Sequence, residues 1–91
     1  MGLKSTTVCL GYQQITSLSS STGLTVPSGA TLAVVIPEAY AVRWRDDGTA
    51  PTGSVGMPLA IGTTLSYDGD LSRIRFIEQA ASAKLNVSYY A

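Results

Sequence analysis

The side chains best equipped for chemistry are four arginines and four aspartates. Arg43 and Arg45 form one Arg-x-Arg pair, and Arg73 and Arg75 form another. On an extended chain, residues two apart point to the same face. If the two strands are neighbours, four guanidinium groups share one face. Arg presents a bidentate fork to carboxylates, so such a face suits a subunit interface that meets Asp or Glu of another chain. The commoner alternative is pairing within the chain, to Asp46, Asp47 or Glu78 on a solvated sheet face. Tyr is also favoured at interfaces. In the closing Tyr89-Tyr90, alternation places Tyr89 in the core and Tyr90 outward, so Tyr90 joins the candidate interface residues.

Asp46, Asp47, Asp68 and Asp70 are the clustered acids, and all sit in turns with Gly. Oxygen ligands in loops suit calcium, but the EF-hand spacing is missing. Asp beside Gly is also what turn geometry alone selects. A carboxylate pair for glycoside hydrolysis needs a cleft, and a domain of this size offers little of one. Histidine is absent, which removes Ser-His-Asp and Cys-His catalysis and the commonest zinc ligand together. The glycines lack phosphate-loop and dinucleotide spacing. A single cysteine cannot form an internal disulfide. In Thr7-Val8-Cys9-Leu10 it reads as a small buried apolar residue, with no basic neighbour or helix start to activate it. No catalytic residue, cofactor or metal ligand is assigned, and the chain reads as non-enzymatic.

The elements that must position these groups are strands. The central stretch is Ala41-Val42-Arg43-Trp44-Arg45-Asp46-Asp47-Gly48-Thr49-Ala50-Pro51. It predicts a strand with Val42 and Trp44 on one face and the arginines on the other, ending in an Asp-Asp-Gly turn. Pro51 prevents simple continuation as an inner strand. Before it, Ser5 to Tyr12 alternates loosely, and Gly11 marks a bulge. Leu24-Thr25-Val26 reads as a short strand. Thr31 to Ile36 is apolar on both faces, which predicts a central strand covered on both sides and broken by Pro37. From Asp46 to Pro58 the density of Gly and Pro predicts a long ordered loop, with a short strand near Ser54-Val55. Thr64 to Tyr67 reads as a strand and Asp68-Gly69-Asp70 as a hairpin-type turn. Arg73 to Ile77 and Lys84 to Tyr90 read as strands, with a loop between them. The total is seven or eight short antiparallel strands at ~8–12-residue spacing, an all-β sandwich of jelly-roll-like or immunoglobulin-like type.

Ninety-one residues allow one domain. A chain this short buries only about two-thirds of its unfolded surface, so association with other subunits would add stability. Charged residues make up 13% of the chain, about half of the ~25% usual for soluble domains. Hydroxyl residues take their place, which suits packing against other subunits or, equally, a simple polar and uncharged β surface. The net charge is zero and the basic residues are scattered along the chain, which argues against nucleic-acid binding. No stretch approaches the ~20 apolar residues of a membrane span, and no apolar signal-peptide core is present. Met1-Gly2-Leu3-Lys4-Ser5-Thr6 fits a myristoylation pattern and Asn86-Val87-Ser88 a glycosylation sequon, both short enough to arise by chance.

Several segments resemble a known group of proteins. Val26-Pro27-Ser28-Gly29-Ala30-Thr31 is followed by Val42-Arg43-Trp44-Arg45-Asp46-Asp47-Gly48-Thr49-Ala50-Pro51-Thr52 and then Gly56-Met57-Pro58-Leu59. Leu71-Ser72-Arg73-Ile74-Arg75-Phe76-Ile77 and Leu85-Asn86-Val87-Ser88-Tyr89-Tyr90 complete the pattern. Between Leu24 and Tyr90 the chain resembles small virion structural proteins of tailed bacteriophages and prophages. The resemblance lies in strand and turn residues and contains no catalytic motif. It implies a head-decoration (cement) or accessory protein that associates as a dimer or trimer and contacts the major capsid protein or another virion protein. Its place would be the particle, on the head rather than the tail, with assembly in the host cytoplasm. The mechanism would be mechanical, with added interface holding capsomers against internal DNA pressure. A carbohydrate- or receptor-binding module, using Tyr and Asp side chains on loops, is the alternative.

Overall fold

A computed structural model describes residues 8–91. The Met1–Thr6 pattern and the start of the expected first strand lie outside them. Eight strands follow in order: β1 (Cys9–Ile15), β2 (Thr22–Gly23), β3 (Leu32–Glu38), β4 (Val42–Arg45), β5 (Met57–Leu59), β6 (Leu65–Tyr67), β7 (Arg75–Glu78) and β8 (Lys84–Tyr90). They form two four-stranded sheets, with orders β1-β8-β3-β6 and β2-β7-β4-β5. Every pairing is antiparallel. The chain is therefore the all-β sandwich its alternation predicts, and the strand order resolves which kind. β4 pairs with β5, β3 with β6, β2 with β7 and β1 with β8, as four nested hairpins. Rolling that nest so that β8 also meets β3 and β7 also meets β4 produces the jelly roll.

The strand that locks the roll is β8. It alternates Leu85, Val87 and Tyr89, all buried, with half-buried Asn86, Ser88 and Tyr90. Val87 lies opposite Gln13 of β1 on one side and Val35 of β3 on the other. Tyr89 is inward and Tyr90 outward, as alternation predicts. The core between the sheets gathers Leu85, Val87, Tyr89, Ala33 and Val35 from the first sheet, and Val42, Phe76 and Leu59 from the second. Leu18, Leu71, Ile74 and Ala83 close it from the connections. Tyr89 cannot bury its hydroxyl unpaired, and it donates to Gln13 Oε1 at 2.6 Å. The same Gln13 amide bridges to Thr25, which continues the chain after β2.

Several local expectations are corrected. Leu24-Thr25-Val26 is not a strand; the ladder partner of β7 is Thr22–Gly23. Leu24 and Val26 still pack on the core, so the apolar signal reports burial rather than pairing. The short strand in the long loop is Met57–Leu59, not Ser54-Val55. Pro37 does not break β3. Its carbonyl accepts from Gly62 N, on the side away from β8, so its missing N–H costs no ladder bond. β3 is central, but only Ala33, Val35 and Pro37 are buried; Leu32, Val34 and Ile36 are half-exposed. Asp68-Gly69-Asp70 joins strands of different sheets and is no hairpin. Arg73 lies in the turn before β7 rather than in it. The bulge expected near Gly11 is present: Cys9 lies opposite Tyr90 and Gly11 opposite Tyr89, leaving Leu10 as the extra residue. That shift puts Cys9 on the outer face, exposed, where a buried position was expected.

Phe76 is fully buried on β7. Phe76→Ala is expected to cost ~3–5 kcal/mol, a large share of the ~5–15 kcal/mol typical of a domain. Tyr89→Phe keeps the ring and removes only the bond to Gln13, so about 1 kcal/mol is expected. Urea unfolding of both variants checks the ranking.

Candidate functional site

β4 and β7 are neighbours, which brings the two Arg-x-Arg pairs together. Arg43 lies opposite Ile77, and Arg45 lies opposite Arg75. Val42 and Phe76 on the same strands are buried, so Arg43, Arg45 and Arg75 share the outer face of the second sheet. Arg73 reaches the same region from its turn. A Cβ placed on Gly48 would collide with its guanidinium, and Gly48 has φ +89°, so glycine there serves both the turn and the close approach. Basic residues dispersed along the sequence thus concentrate on one face.

Their partners differ. Arg43 is half-buried and donates to two loop carbonyls, Gly53 O at 3.2 Å and Gly56 O at 2.9 Å, tying the β4–β5 loop down. Arg45 grips Asp47 with two nitrogens, Nε to Oδ1 at 3.0 Å and Nη2 to Oδ2. This is the one ion pair among the described residues. The Arg45 hydrogen bond holds the Asp47 carboxyl down at about 2, against an ordinary 3.8, and Asp47 in turn raises Arg45. Arg75 is exposed, and among the described residues it has neither an ion-pair nor a hydrogen-bond partner. It faces Arg45 across the ladder, a like-charge pairing that sheets disfavour. Among the described residues the expected ion pairing within the chain therefore holds for Arg45 alone. Tyr90 is not part of this face. It is half-buried on the outer face of the other sheet, opposite Leu32, and accepts from Ser88 Oγ at 3.2 Å.

Beside the arginines lies an open cavity of about 360 Å³, lined by Trp44, Arg45, Asp46, Asp47, Val55, Gly56 and Met57. Trp44 is half-buried and meets Tyr67 edge-on, with ring centroids 6.0 Å apart. Tyr67 reaches across to donate to Asp46 Oδ2 at 2.6 Å. Burial first, and Asp46 second, pushes the Tyr67 hydroxyl up to about 12, so it remains a donor throughout the neutral range. Asp46 thus has an oriented carboxylate with no cation paired to it among the described residues. Met57 and Val55 are more than half exposed and form apolar walls. Neither residue was legible as a site residue, because the Gly- and Pro-rich loop that carries them has no periodicity to read.

The remaining candidates are spread apart. Asp70 is engaged by Ser72, whose hydroxyl and backbone N–H lower its carboxyl. Among the described residues no three metal-ligating side chains come together. Asn86, the sequon residue, lies on the central strand β8. It accepts from Tyr12 and Gln14 and donates to Glu38 Oε1 at 3.0 Å. Compared with known protein families, curated proteins and solved structures, the chain matches none of them.

The Asp47 carboxyl is expected to titrate near pH 2 in carbon-detected NMR. In Arg45→Gln it should move up toward ordinary aspartate values. Since the folded pKa is the lower one, the pair contributes stability above the ordinary aspartate range and loses it as pH falls toward 2. An unchanged titration in the variant would show that Arg45 does not hold Asp47 in solution.

Proposed function

We propose that the chain is a non-enzymatic structural protein of a bacteriophage particle, a head-decoration protein that cements neighbouring capsid subunits. The observation that carries this reading is the face of β4 and β7, where Arg75 has no anion within the described chain and stands opposite another arginine. Such a group is better served by carboxylates on a neighbouring subunit than by anything in its own fold. The jelly-roll strand order supports the reading by analogy, because viral capsid domains use it. The resemblance of Val42–Thr52 and Leu71–Ile77 to phage virion proteins supports it too, and these segments carry all four arginines. The mechanism follows from area rather than chemistry. Each copy buries its outer surfaces against neighbours and so ties capsomers together.

A carbohydrate- or receptor-binding module is the second reading. The cavity beside Trp44, with apolar walls and a free carboxylate, favours it, and lectin domains also use the jelly roll.

Cryo-electron microscopy of purified particles of the encoding phage separates the two. Ordered copies at the symmetry axes of the head are expected, with the β4–β7 face against a neighbour. Copies confined to tail fibres would favour the binding module, and absence from the particle would overturn the structural role.

A further inference from the structure

We propose that the cavity beside Trp44 is half of a two-fold dimer interface, and that it receives the Arg75 side chain of a second copy of this chain. The inference rests on the proposed role of the β4–β7 face as a subunit contact and names a second copy of this chain as the neighbour. Three charged groups line the cavity, Arg45, Asp46 and Asp47. Arg45 and Asp47 neutralise each other. Asp46 remains as one uncompensated negative charge, oriented by the Tyr67 hydroxyl. A free carboxylate in an open cavity suits a cation. Exposed Met57 and Val55 supply apolar surface for the aliphatic stem of a long side chain.

The matching cation is on the same chain. Arg75 lies directly opposite Arg45, one strand from the cavity wall. It makes no ion pair with Asp47, whose two oxygens already accept from Arg45. A two-fold axis beside β4 and β7 requires a surface that complements itself, each residue meeting in its partner the residue that meets it. An unpaired cation next to a cavity with an unpaired anion meets that requirement. Two copies facing each other would place Arg75 of each against Asp46 of the other, forming two identical ion pairs. Arg45, fixed by Asp47, then acts as a wall that directs Arg75 away from its own cavity.

Sedimentation velocity on the purified chain tests this without the particle, so its failure and a failure of the capsid role are distinguishable. The wild type is expected to be a dimer that dissociates as salt is raised. Asp46→Arg and Arg75→Asp are each expected to weaken association at least about tenfold. Mixing these two variants should restore a dimer, because each reversed charge then meets its opposite across the two-fold axis. Arg75→Asp lies on the exposed face and places an acid opposite Arg45, so it retains the fold. Asp46→Asn, with circular dichroism as a fold check, stands in if Asp46→Arg does not fold. A monomeric wild type, a trimer, a dimer unaffected by Arg75→Asp, or a mixture that remains monomeric would each overturn the proposal. So would a monomer that binds free sugars in the cavity.

Discussion

The fold depends on β8 being held between β1 and β3 in one register. Its inward residues are Leu85, Val87 and Tyr89, and its outward ones are Asn86, Ser88 and Tyr90. A slip by one residue would turn the polar set into the core. The Tyr89 hydroxyl makes the penalty sharper, because it is satisfied only where Gln13 meets it, 76 residues earlier in the chain. β1 and β8 therefore pair at the two ends of the described sequence and enclose all the other pairings. Such long-range closure makes folding slow relative to helical domains of this size. It also makes the native arrangement specific, since the inner hairpins gain their full burial only when the outer ones are in place.

This constraint decides what surface is left for contacts. The inner faces of both sheets are committed to the core, so any partner must use the outer faces, the edges or the loops. The two outer faces differ in chemistry. On β1, β8 and β3 the outer surface mixes half-exposed Leu32, Val34 and Ile36 with a polar network from Tyr12 through Asn86 to Glu38. That network satisfies its own hydrogen bonds. On β4 and β7 the outer surface carries guanidinium groups that the chain satisfies only in part. Arg43 is used to pin a loop and Arg45 to fix a turn acid, whereas Arg75 does neither.

Alternation makes β4, β6 and β8 legible in the sequence, because each has one face that must be apolar, whereas β3 is legible as a short run apolar on both faces. It failed where burial and pairing part company. Leu24 and Val26 are apolar because they pack on the core, while the ladder forms at Thr22 and Gly23, which carry no apolar signal. Pro37 reads as a breaker from its own chemistry, but its nitrogen faces away from β8, and that direction depends on the partner strand. Cys9 was misplaced by a single bulged residue, which reverses the parity of everything before Gly11. Asp68-Gly69-Asp70 carries turn residues, but they form only a bend at Gly69, the turn follows at residues 71–73, and such residues do not specify whether the flanking strands pair. The arginine face was legible as two pairs. That they meet follows from the nesting of β4 with β7, and nothing in their local sequence encodes it.

The arrangement at Arg75 is not what stability of the isolated chain would select. In an antiparallel sheet, opposite charges at facing positions are favourable and like charges are not. A glutamate or threonine at position 75 would serve the β4–β7 ladder better than a second arginine facing Arg45. The chain is otherwise sparing with charge, at 13% of its residues, and fills its surface with hydroxyl groups that would suit this position. Asp47 offsets the charge of Arg45, but Arg75 itself gains no partner from its own ladder. The proposed subunit contact would offset that local cost by supplying an anion from outside the chain. Arg45, already neutralised by Asp47, keeps its own side chain fixed and leaves Arg75 as the group presented outward.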